Sequence, residues 1–119
     1  MYVYQIMNTN LICISPFSSV ADASFLMIKQ RLRRLLVVED NLLIGIITHN
    51  DIPKNIKPQL KVKDIMTVKP VVINEFATIE EARVLMKNFN IGCLPVINNS
   101  GNAVGILTNY DFSNKLNID

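Results

Sequence analysis

Gly45-Ile-Ile-Thr48-His-Asn-Asp51 and Gly105-Ile-Leu-Thr108-Asn-Tyr-Asp111 follow one pattern: a glycine, two apolar residues, a threonine and an aspartate three positions later. When the chain is aligned with itself, similar residues coincide at an offset of 59 up to the pair Val37 and Val96. One extra residue in the second copy then raises the offset to 60 for the two quoted segments. Similarity at a fixed spacing identifies an internal duplication. We assign repeat 1 to residues 1–57 and repeat 2 to residues 58–119.

Each repeat predicts the order strand, helix, strand, strand, helix. Ser19 and Thr78 each precede an acid by three residues, which is typical of a helix start, and apolar residues at helical spacing follow. Turn residues then separate two apolar runs, which predicts a hairpin or a tight link, and a last helix is expected near each corner threonine. One repeat cannot cover both faces of its sheet. The sequence therefore predicts an α/β (α+β) fold of two β-α-β-β-α repeats packed sheet to sheet with pseudo-twofold symmetry, with function in the clefts between them.

The composition indicates a folded protein, because half of the 119 residues are apolar and 18% are charged. A net charge of +2 is too small to indicate nucleic acid or membrane as a partner. No apolar run approaches the roughly 20 residues that span a bilayer, and the first residues do not resemble a secretory signal. We expect a cytoplasmic protein. Cys13 and Cys93 are expected to be buried small hydrophobic residues, and the single histidine, His49, does not indicate a metal site.

The Thr-x-x-Asp corners allow two interpretations. The arrangement is itself an N-capping pattern, with a stabilisation of about 1 kcal/mol. Alternatively, the hydroxyl and the helix N-terminus face a phosphate while the carboxylate accepts hydrogen bonds from a ribose diol. Both roles can hold together, because a cap uses only some of the free N–H groups. The preceding glycines, Gly45 and Gly105, let the backbone bend or let another group approach closely.

Several further segments, together with the two corners, resemble the cystathionine-β-synthase (CBS) domain pair, or Bateman module. They are Val62-Lys-Asp-Ile-Met-Thr67, Lys69-Pro-Val71, Thr78-Ile-Glu-Glu-Ala82 and Gly92-Cys-Leu-Pro-Val-Ile97. The resemblance covers essentially the whole chain and implies a stand-alone two-repeat protein. It implies binding of an adenosine-containing ligand (AMP, ADP, ATP or S-adenosylmethionine), no required cofactor, and regulation of a partner protein. In that family the aspartate holds the ribose and the hydroxyl residue lies near the phosphates. The entry to the first strand of the opposite repeat flanks the adenine.

Carried over to this sequence, the resemblance implies two ligand clefts. The first would contain Thr48, Asp51, Lys69, Pro70 and Val71. The second would contain Thr108, Asp111, Asn10, Leu11 and Ile12. Repeat 1 departs from the family pattern at Leu36, where repeat 2 has Pro95, and at residues 8–11. The second cleft is therefore the weaker candidate for adenine.

Arg33 and Arg34 are the clearest difference between the repeats, because repeat 2 has Gly92 and Cys93 at these positions. In nucleotide-binding members of the family, basic residues at this place reach phosphates. The alternative is a solvent-exposed basic helix end, since cations suit a helix C-terminus. The phosphate role favours the first cleft and a phosphorylated ligand over S-adenosylmethionine.

The sequence predicts a sensor of adenine nucleotides and not an enzyme, because it shows no Ser/His/Asp set and no acid pair beyond the corner aspartates. Two alternatives stay open. One is a ligand-free structural or interaction module whose corners are only caps. The other is nucleic-acid binding through residues 29–34, which have no interleaved aromatic residues. From the resemblance we expect a homodimer forming a disc of four repeats, an unknown regulated protein, and no membrane partner.

Overall fold

A computed structural model describes residues 1–115, with the side chain of Lys115 left out of the description. The chain divides into two compact units. The central unit is Ile12–Pro70, and the terminal unit combines Met1–Leu11 with Val71–Asp119. Each unit therefore holds the body of one repeat and the lead-in segment of the other. The assignment of residues 1–57 and 58–119 to sequence repeats stays a prediction, and these compact units have different bounds.

The exchanged lead-ins are short helical turns bonded to the unit that receives them. A 3₁₀ turn at Val3–Gln5 enters the terminal unit, where the Val3 N–H donates to the Ala77 carbonyl at 2.8 Å. Helix α2 (Val62–Ile65) enters the central unit, where the Val62 N–H donates to the Ser18 carbonyl at 2.9 Å. Val3 and Val62 are both fully buried, so each lead-in contributes one residue to the core of its unit.

Besides α2, the elements of the central unit are β1 (Cys13–Ile14), α1 (Val20–Gln30), β2 (Arg34–Glu39), β3 (Leu42–Thr48) and β4 (Thr67–Val68). The four strands form one sheet in the order β1-β2-β3-β4. Strand β1 is parallel to β2, whereas β3 is antiparallel to both β2 and β4. Strand β4 directly follows the lead-in helix α2 and completes the sheet beside β3.

The elements of the terminal unit are β5 (Ile73–Asn74), α3 (Ile79–Phe89), β6 (Cys93–Ile97), β7 (Ala103–Thr108) and α4 (Asn109–Lys115). Its three strands form one sheet in the order β5-β6-β7. An isolated bridge between Asn8 and Ile106 occupies the place that β4 has in the central unit. The predicted mixed α/β fold with two sheets is confirmed.

Both long helices begin where the hydroxyl residues predict. The Ser19 Oγ accepts a hydrogen bond from the Asp22 N–H at 3.0 Å, and the Thr78 Oγ1 accepts one from the Glu81 N–H at 3.1 Å. Only the second start forms the reciprocal bond, from the Thr78 N–H to Glu81 Oε2 at 3.3 Å.

The two hairpins confirm the self-alignment of the sequence. In each, one residue bulges directly after the glycine pairing: Val37 opposes Gly45 and the next pair is Val38 with Leu43, and β6 and β7 repeat this shift. Asp40 and Asn41 form a turn with φ values of 52° and 69°, whereas residues 98–102 form a longer turn. The extra residue of repeat 2 lies in that turn, where it leaves both strands in register.

The last predicted helix differs between the repeats. Helix α4 follows Thr108 as predicted, but Thr48 is followed only by a 3₁₀ turn, His49–Asp51. Pro53 explains the difference, because a proline disfavours helical backbone in the residue before it. Ile52 is accordingly extended, with φ −75° and ψ 121°. The prediction of a helix at residue 48 is therefore wrong beyond its first turn.

The buried apolar residues form one cluster in each unit. Leu35, Val37 and Ile47 lie at the centre of one cluster, and Leu94, Val96 and Leu107 lie at the centre of the other. Across residues 1–115, no helix is both long enough and apolar enough to cross a membrane.

The cysteines differ from the expectation of buried hydrophobic residues. Cys13 is exposed and Cys93 is half-buried. Cys13 follows Ile12 at the short edge strand β1, where little of the sheet covers it. Even so, partial desolvation raises the pKa of the Cys13 thiol above its ordinary value.

Candidate functional site

The Thr48–Asp51 corner, which we call the central corner, is held by two hydrogen bonds to one carboxylate oxygen. Asp51 Oδ2 accepts from the Thr48 N–H at 2.8 Å and from the Thr48 hydroxyl at 3.1 Å. Neither bond uses Oδ1 of Asp51. The side chain is half-buried, so its orientation is fixed while part of the carboxylate stays accessible.

The Thr108–Asp111 corner, the terminal corner, has the same bonds in a more buried setting. Asp111 Oδ2 accepts from the Thr108 N–H at 2.8 Å and from the Thr108 hydroxyl at 3.2 Å. Asp111 is only 4% exposed. The two corners thus share their internal geometry, but the central carboxylate is the more accessible acceptor for a ligand hydroxyl.

These bonds refine the two interpretations of the corner. A threonine hydroxyl has one hydrogen to donate, and at both corners that hydrogen points to the aspartate. Thr48 and Thr108 therefore orient the carboxylate in this conformation, and a hydroxyl contact to a phosphate would require the hydroxyl to rotate. The carboxylate in turn caps the backbone N–H of the threonine, as the capping pattern predicts.

Arg33 and Arg34 lie next to the central corner through the backbone. Arg34 is the cross-strand partner of Thr48 in the β2–β3 ladder, so their Cα atoms are about 5 Å apart. The Arg33 carbonyl accepts the His49 N–H at 2.8 Å. Arg34 is half-buried and Arg33 is exposed. The role of both arginines in binding phosphate stays a prediction.

The matching positions of the terminal unit carry no cation. Cys93 is the cross-strand partner of Thr108, and the Gly92 carbonyl accepts the Asn109 N–H at 3.2 Å. The backbone arrangement is therefore the same at both corners. Of the four matching positions, only residues 33 and 34, at the central corner, carry a positive charge.

The corner glycines are required by a close approach within each unit. A Cβ atom at Gly45 would lie 2.8 Å from Met66 Sδ and 2.9 Å from the Thr67 carbonyl oxygen. A Cβ atom at Gly105 would lie 2.5 Å from Met7 Sδ. Met7 and Met66 come from the exchanged lead-ins and coincide at the offset of 59, which is the sequence signal that could have identified this contact.

The unit boundaries regroup the predicted site residues. The central unit includes Ile12 and six residues of the first predicted set: Arg33, Arg34, Thr48, Asp51, Lys69 and Pro70. The terminal unit includes Val71 and four residues of the second predicted set: Asn10, Leu11, Thr108 and Asp111. Strand β4 pairs with β3 at Thr67 and Val68, and the next residue, Lys69, has left-handed backbone with φ 50°. The lead-in exchange therefore carries Lys69 and Pro70 into the unit of the central corner.

Within residues 1–115, no three histidine, cysteine or acidic side chains come close enough together to hold a metal ion. The chemistry that both corners offer is hydrogen bonding by an oriented carboxylate, and at the central corner Arg33 and Arg34 are its neighbours along the backbone.

Comparison with known proteins gives two matches to the CBS domain family, over residues 3–57 and 62–117. The chain is 36% identical to the inosine-5′-monophosphate dehydrogenase of Korarchaeum cryptofilum over 102 residues, which are 86% of this chain and 21% of the dehydrogenase. It therefore spans about a fifth of that relative.

Solved CBS structures superpose on nearly the whole chain. CBSX2, a CBS-pair protein of Arabidopsis thaliana crystallised in complex with AMP, matches with a TM-score of 0.86 and 27% identity, over 97% of this chain and 95% of CBSX2. The CBS domain pair of protein MJ0100, crystallised with 5′-methylthioadenosine and S-adenosyl-L-methionine, matches with a TM-score of 0.84 and 26% identity, over 98% of this chain and 99% of that pair. The chain belongs to the CBS domain family and contains two copies of that domain.

Proposed function

We propose that this protein is a regulatory module that binds an adenine nucleotide of the AMP, ADP or ATP type at the central corner and signals its presence to a partner protein. The observation that carries the proposal is the Asp51 carboxylate, which Thr48 holds through Oδ2 while Arg34 lies opposite on the neighbouring strand. The AMP complex of CBSX2 supports an adenosine-containing ligand for this family.

The residues of the central corner would divide the ligand between them. The oriented Asp51 carboxylate accepts hydrogen bonds from the ribose hydroxyls, and such charge-assisted bonds are among the strongest that a protein forms. The guanidinium groups of Arg33 and Arg34 bind phosphate oxygens, for which their planar donors are well suited. Lys69, Pro70 and Val71 flank the adenine.

The terminal corner is proposed as a second, weaker site formed by Thr108 and Asp111 with Asn10, Leu11 and Ile12. Asp111 is almost completely buried, and Gly92 and Cys93 replace the two arginines. A ligand there would lack both the accessible carboxylate and the charge pairing with phosphate. We therefore propose that the central corner fills first.

Replacing Arg34 with alanine tests the phosphate assignment. Calorimetric titration with AMP, ATP and adenosine should show about a tenfold or greater loss of affinity for the two nucleotides and a smaller loss for adenosine, because only the nucleotides carry the group that the arginine binds. Lys29→Ala is the matched control, since it removes one exposed cation from the last turn of helix α1, which precedes β2, and should leave all three affinities within about twofold.

Two outcomes would contradict the proposal. An equal loss for all three compounds would remove the phosphate role of Arg34, and the absence of any thermal shift at millimolar nucleotide would remove the nucleotide site itself. S-adenosylmethionine is the second candidate ligand, because the MJ0100 pair was crystallised with it. Tighter binding of S-adenosylmethionine than of AMP, unaffected by Arg34→Ala, would favour that ligand.

The regulatory part of the proposal concerns assembly and partner. We propose a homodimer of four repeats, in line with the expectation from the family, which binds a regulated protein in a ligand-dependent manner. Light scattering with and without AMP measures the mass directly. A monomer under both conditions would contradict the homodimer.

A further inference from the structure

The terminal unit has a second polar feature, a groove between the later turns of α3 and the start of α4. We call it the α3–α4 groove. Its volume is about 440 Å³, which is within the range of small-molecule pockets. Arg83, Lys87 and Asn90 line it from α3 and its C-terminus, and Asn109 and Phe112 line it from α4.

The cations of this groove are placed on one helix face. Arg83 and Lys87 are four residues apart, and like charges at that spacing repel each other on a helix. Lys87 lies in the last turn, where a cation interacts favourably with the helix dipole. Arg83 lies about two turns from the helix end, so the dipole does not explain a cation at that position.

The floor of the groove is formed by two buried apolar side chains. Phe112 is 7% exposed and Met86 is 4% exposed. The Arg83 guanidinium carbon lies 5.2 Å from the centre of the Phe112 ring, so the charge is held over the aromatic floor. The side-chain amide nitrogen of Asn109 lies 3.3 Å from the place a Cβ atom at Gly92 would occupy, which adds a hydrogen-bonding group at the rim.

The central unit has the equivalent groove without these charges. Its volume is about 300 Å³, and Ser24 and Ile28 stand where the α3–α4 groove has Arg83 and Lys87. Ile52 replaces Phe112 and His49 replaces Asn109. The duplication therefore preserved the cavity in both units, whereas the pair of cations over an aromatic floor occurs in one of them.

We propose that the α3–α4 groove binds a small-molecule anion that joins one phosphate or carboxylate group to an apolar or aromatic part. Arg83 and Lys87 bind the anionic group, and the apolar part packs on Met86 and Phe112. This site is separate from the nucleotide site proposed at the central corner, because none of its lining residues belongs to that corner, whereas Asn109 places it beside the terminal corner.

The test is an NMR titration of the full chain with phenyl phosphate, with phenylacetate as the carboxylate arm. Both probes should shift the amide signals around Lys87, Asn90 and Asn109 in a saturable manner, whereas benzyl alcohol, which lacks the charge, should bind at least about tenfold more weakly. The double variant Arg83→Ser/Lys87→Ile installs the residues of the equivalent groove. It should weaken phenyl phosphate about tenfold or more.

Lys54→Ser/Lys57→Ser is the matched control, since it removes the same net charge from two exposed positions outside the groove and should keep the affinity within about twofold. Lys87→Ile alone decides the question if the double variant does not fold, because Lys87 is exposed.

Equal affinity of the wild type and the groove variants overturns the proposal. A changed molecular mass of the variants in light scattering also overturns it, because the groove would then be an interface between copies. Arg34→Ala should leave phenyl phosphate binding unchanged, which separates this site from the nucleotide site.

Discussion

The central and terminal units have the same hydrogen bonds at their Thr-x-x-Asp corners, but they differ in how far the aspartate is buried. In both, a threonine offers its N–H and its hydroxyl to one aspartate oxygen, and in both a methionine from the exchanged lead-in covers the corner glycine. The terminal aspartate is almost fully buried, whereas the central one is half-buried, with Arg34 at the start of the neighbouring strand β2 and Arg33 directly before it. Duplication preserved the hydrogen bonds, and the side chains around them determine whether a ligand can use them.

The largest difference in stability between the two units should follow from alanine at the corner glycines. Gly45→Ala places a Cβ atom 2.9 Å from the Thr67 carbonyl oxygen, a backbone atom that can move only with strand β4. At Gly105 the nearest atoms belong to the flexible Met7 side chain, and the backbone oxygen of Asn8 is 3.2 Å away. We expect Gly45→Ala to lower the free energy of unfolding by about 3 kcal/mol and Gly105→Ala by about 1 kcal/mol, measured by urea denaturation.

Combining Gly105→Ala with Met7→Ala should recover part of that loss, because the closest clash is with the methionine. The corresponding pair Gly45→Ala and Met66→Ala should recover less, since the Thr67 carbonyl stays in place. Equal costs at the two glycines would show that the lead-in strand β4 adapts as easily as a side chain.

Alanine at the two corner aspartates should separate stability from binding. Asp111→Ala leaves the Thr108 N–H and hydroxyl without their acceptor in a buried place, so we expect a loss of about 2 kcal/mol in unfolding free energy. Asp51→Ala should cost about 1 kcal/mol, because Asp51 is only half-buried and water can take the place of its carboxylate. For AMP affinity in calorimetry the order should reverse, with Asp51→Ala the more damaging change. The same order in both measurements would contradict the distinction between the corners.

The sequence predicted the parts of this fold that depend on local patterns. Ser19 and Thr78 start helices as their spacing indicates, and the extra residue of repeat 2 lies in a hairpin turn. Two features, the short helix after Thr48 and the exchange of the lead-ins, did not follow from these patterns. The helix after Thr48 stops after one turn because Pro53 restricts Ile52, a local signal that the symmetry of the duplication outweighed in the prediction. The exchange of lead-ins could not be predicted, because Val3 and Val62 bury equally well in either copy by composition alone.

At the two corners, too, one feature could be predicted from the sequence and another could not. The pairing of Arg34 with Thr48 follows from the hairpin register, which the apolar runs of repeat 1 largely determine. The burial of Asp111 relative to Asp51 does not follow from the sequence of the corners, which is nearly the same, but from the elements around them. Helix α4 continues after Asp111 and brings the buried Phe112 beside it, whereas the chain after Asp51 turns away in extended form.

The smallest difference should come from the hairpin turns. Asn41 has φ 69° and Gly101 has φ 84°, so both backbones are left-handed, but only the second position has glycine. Asn41→Gly should raise the free energy of unfolding by about 0.5 kcal/mol, because asparagine already tolerates this conformation and the second residue of a two-residue hairpin turn favours glycine. Gly101→Ala should lower it by about 1 kcal/mol, because a Cβ atom is strained at that φ. Urea denaturation of both variants against the wild type measures the pair. A stabilising Gly101→Ala would show that the longer turn rearranges to another conformation. The turn would then accommodate the extra residue of repeat 2 through its flexibility, and not because it has a glycine.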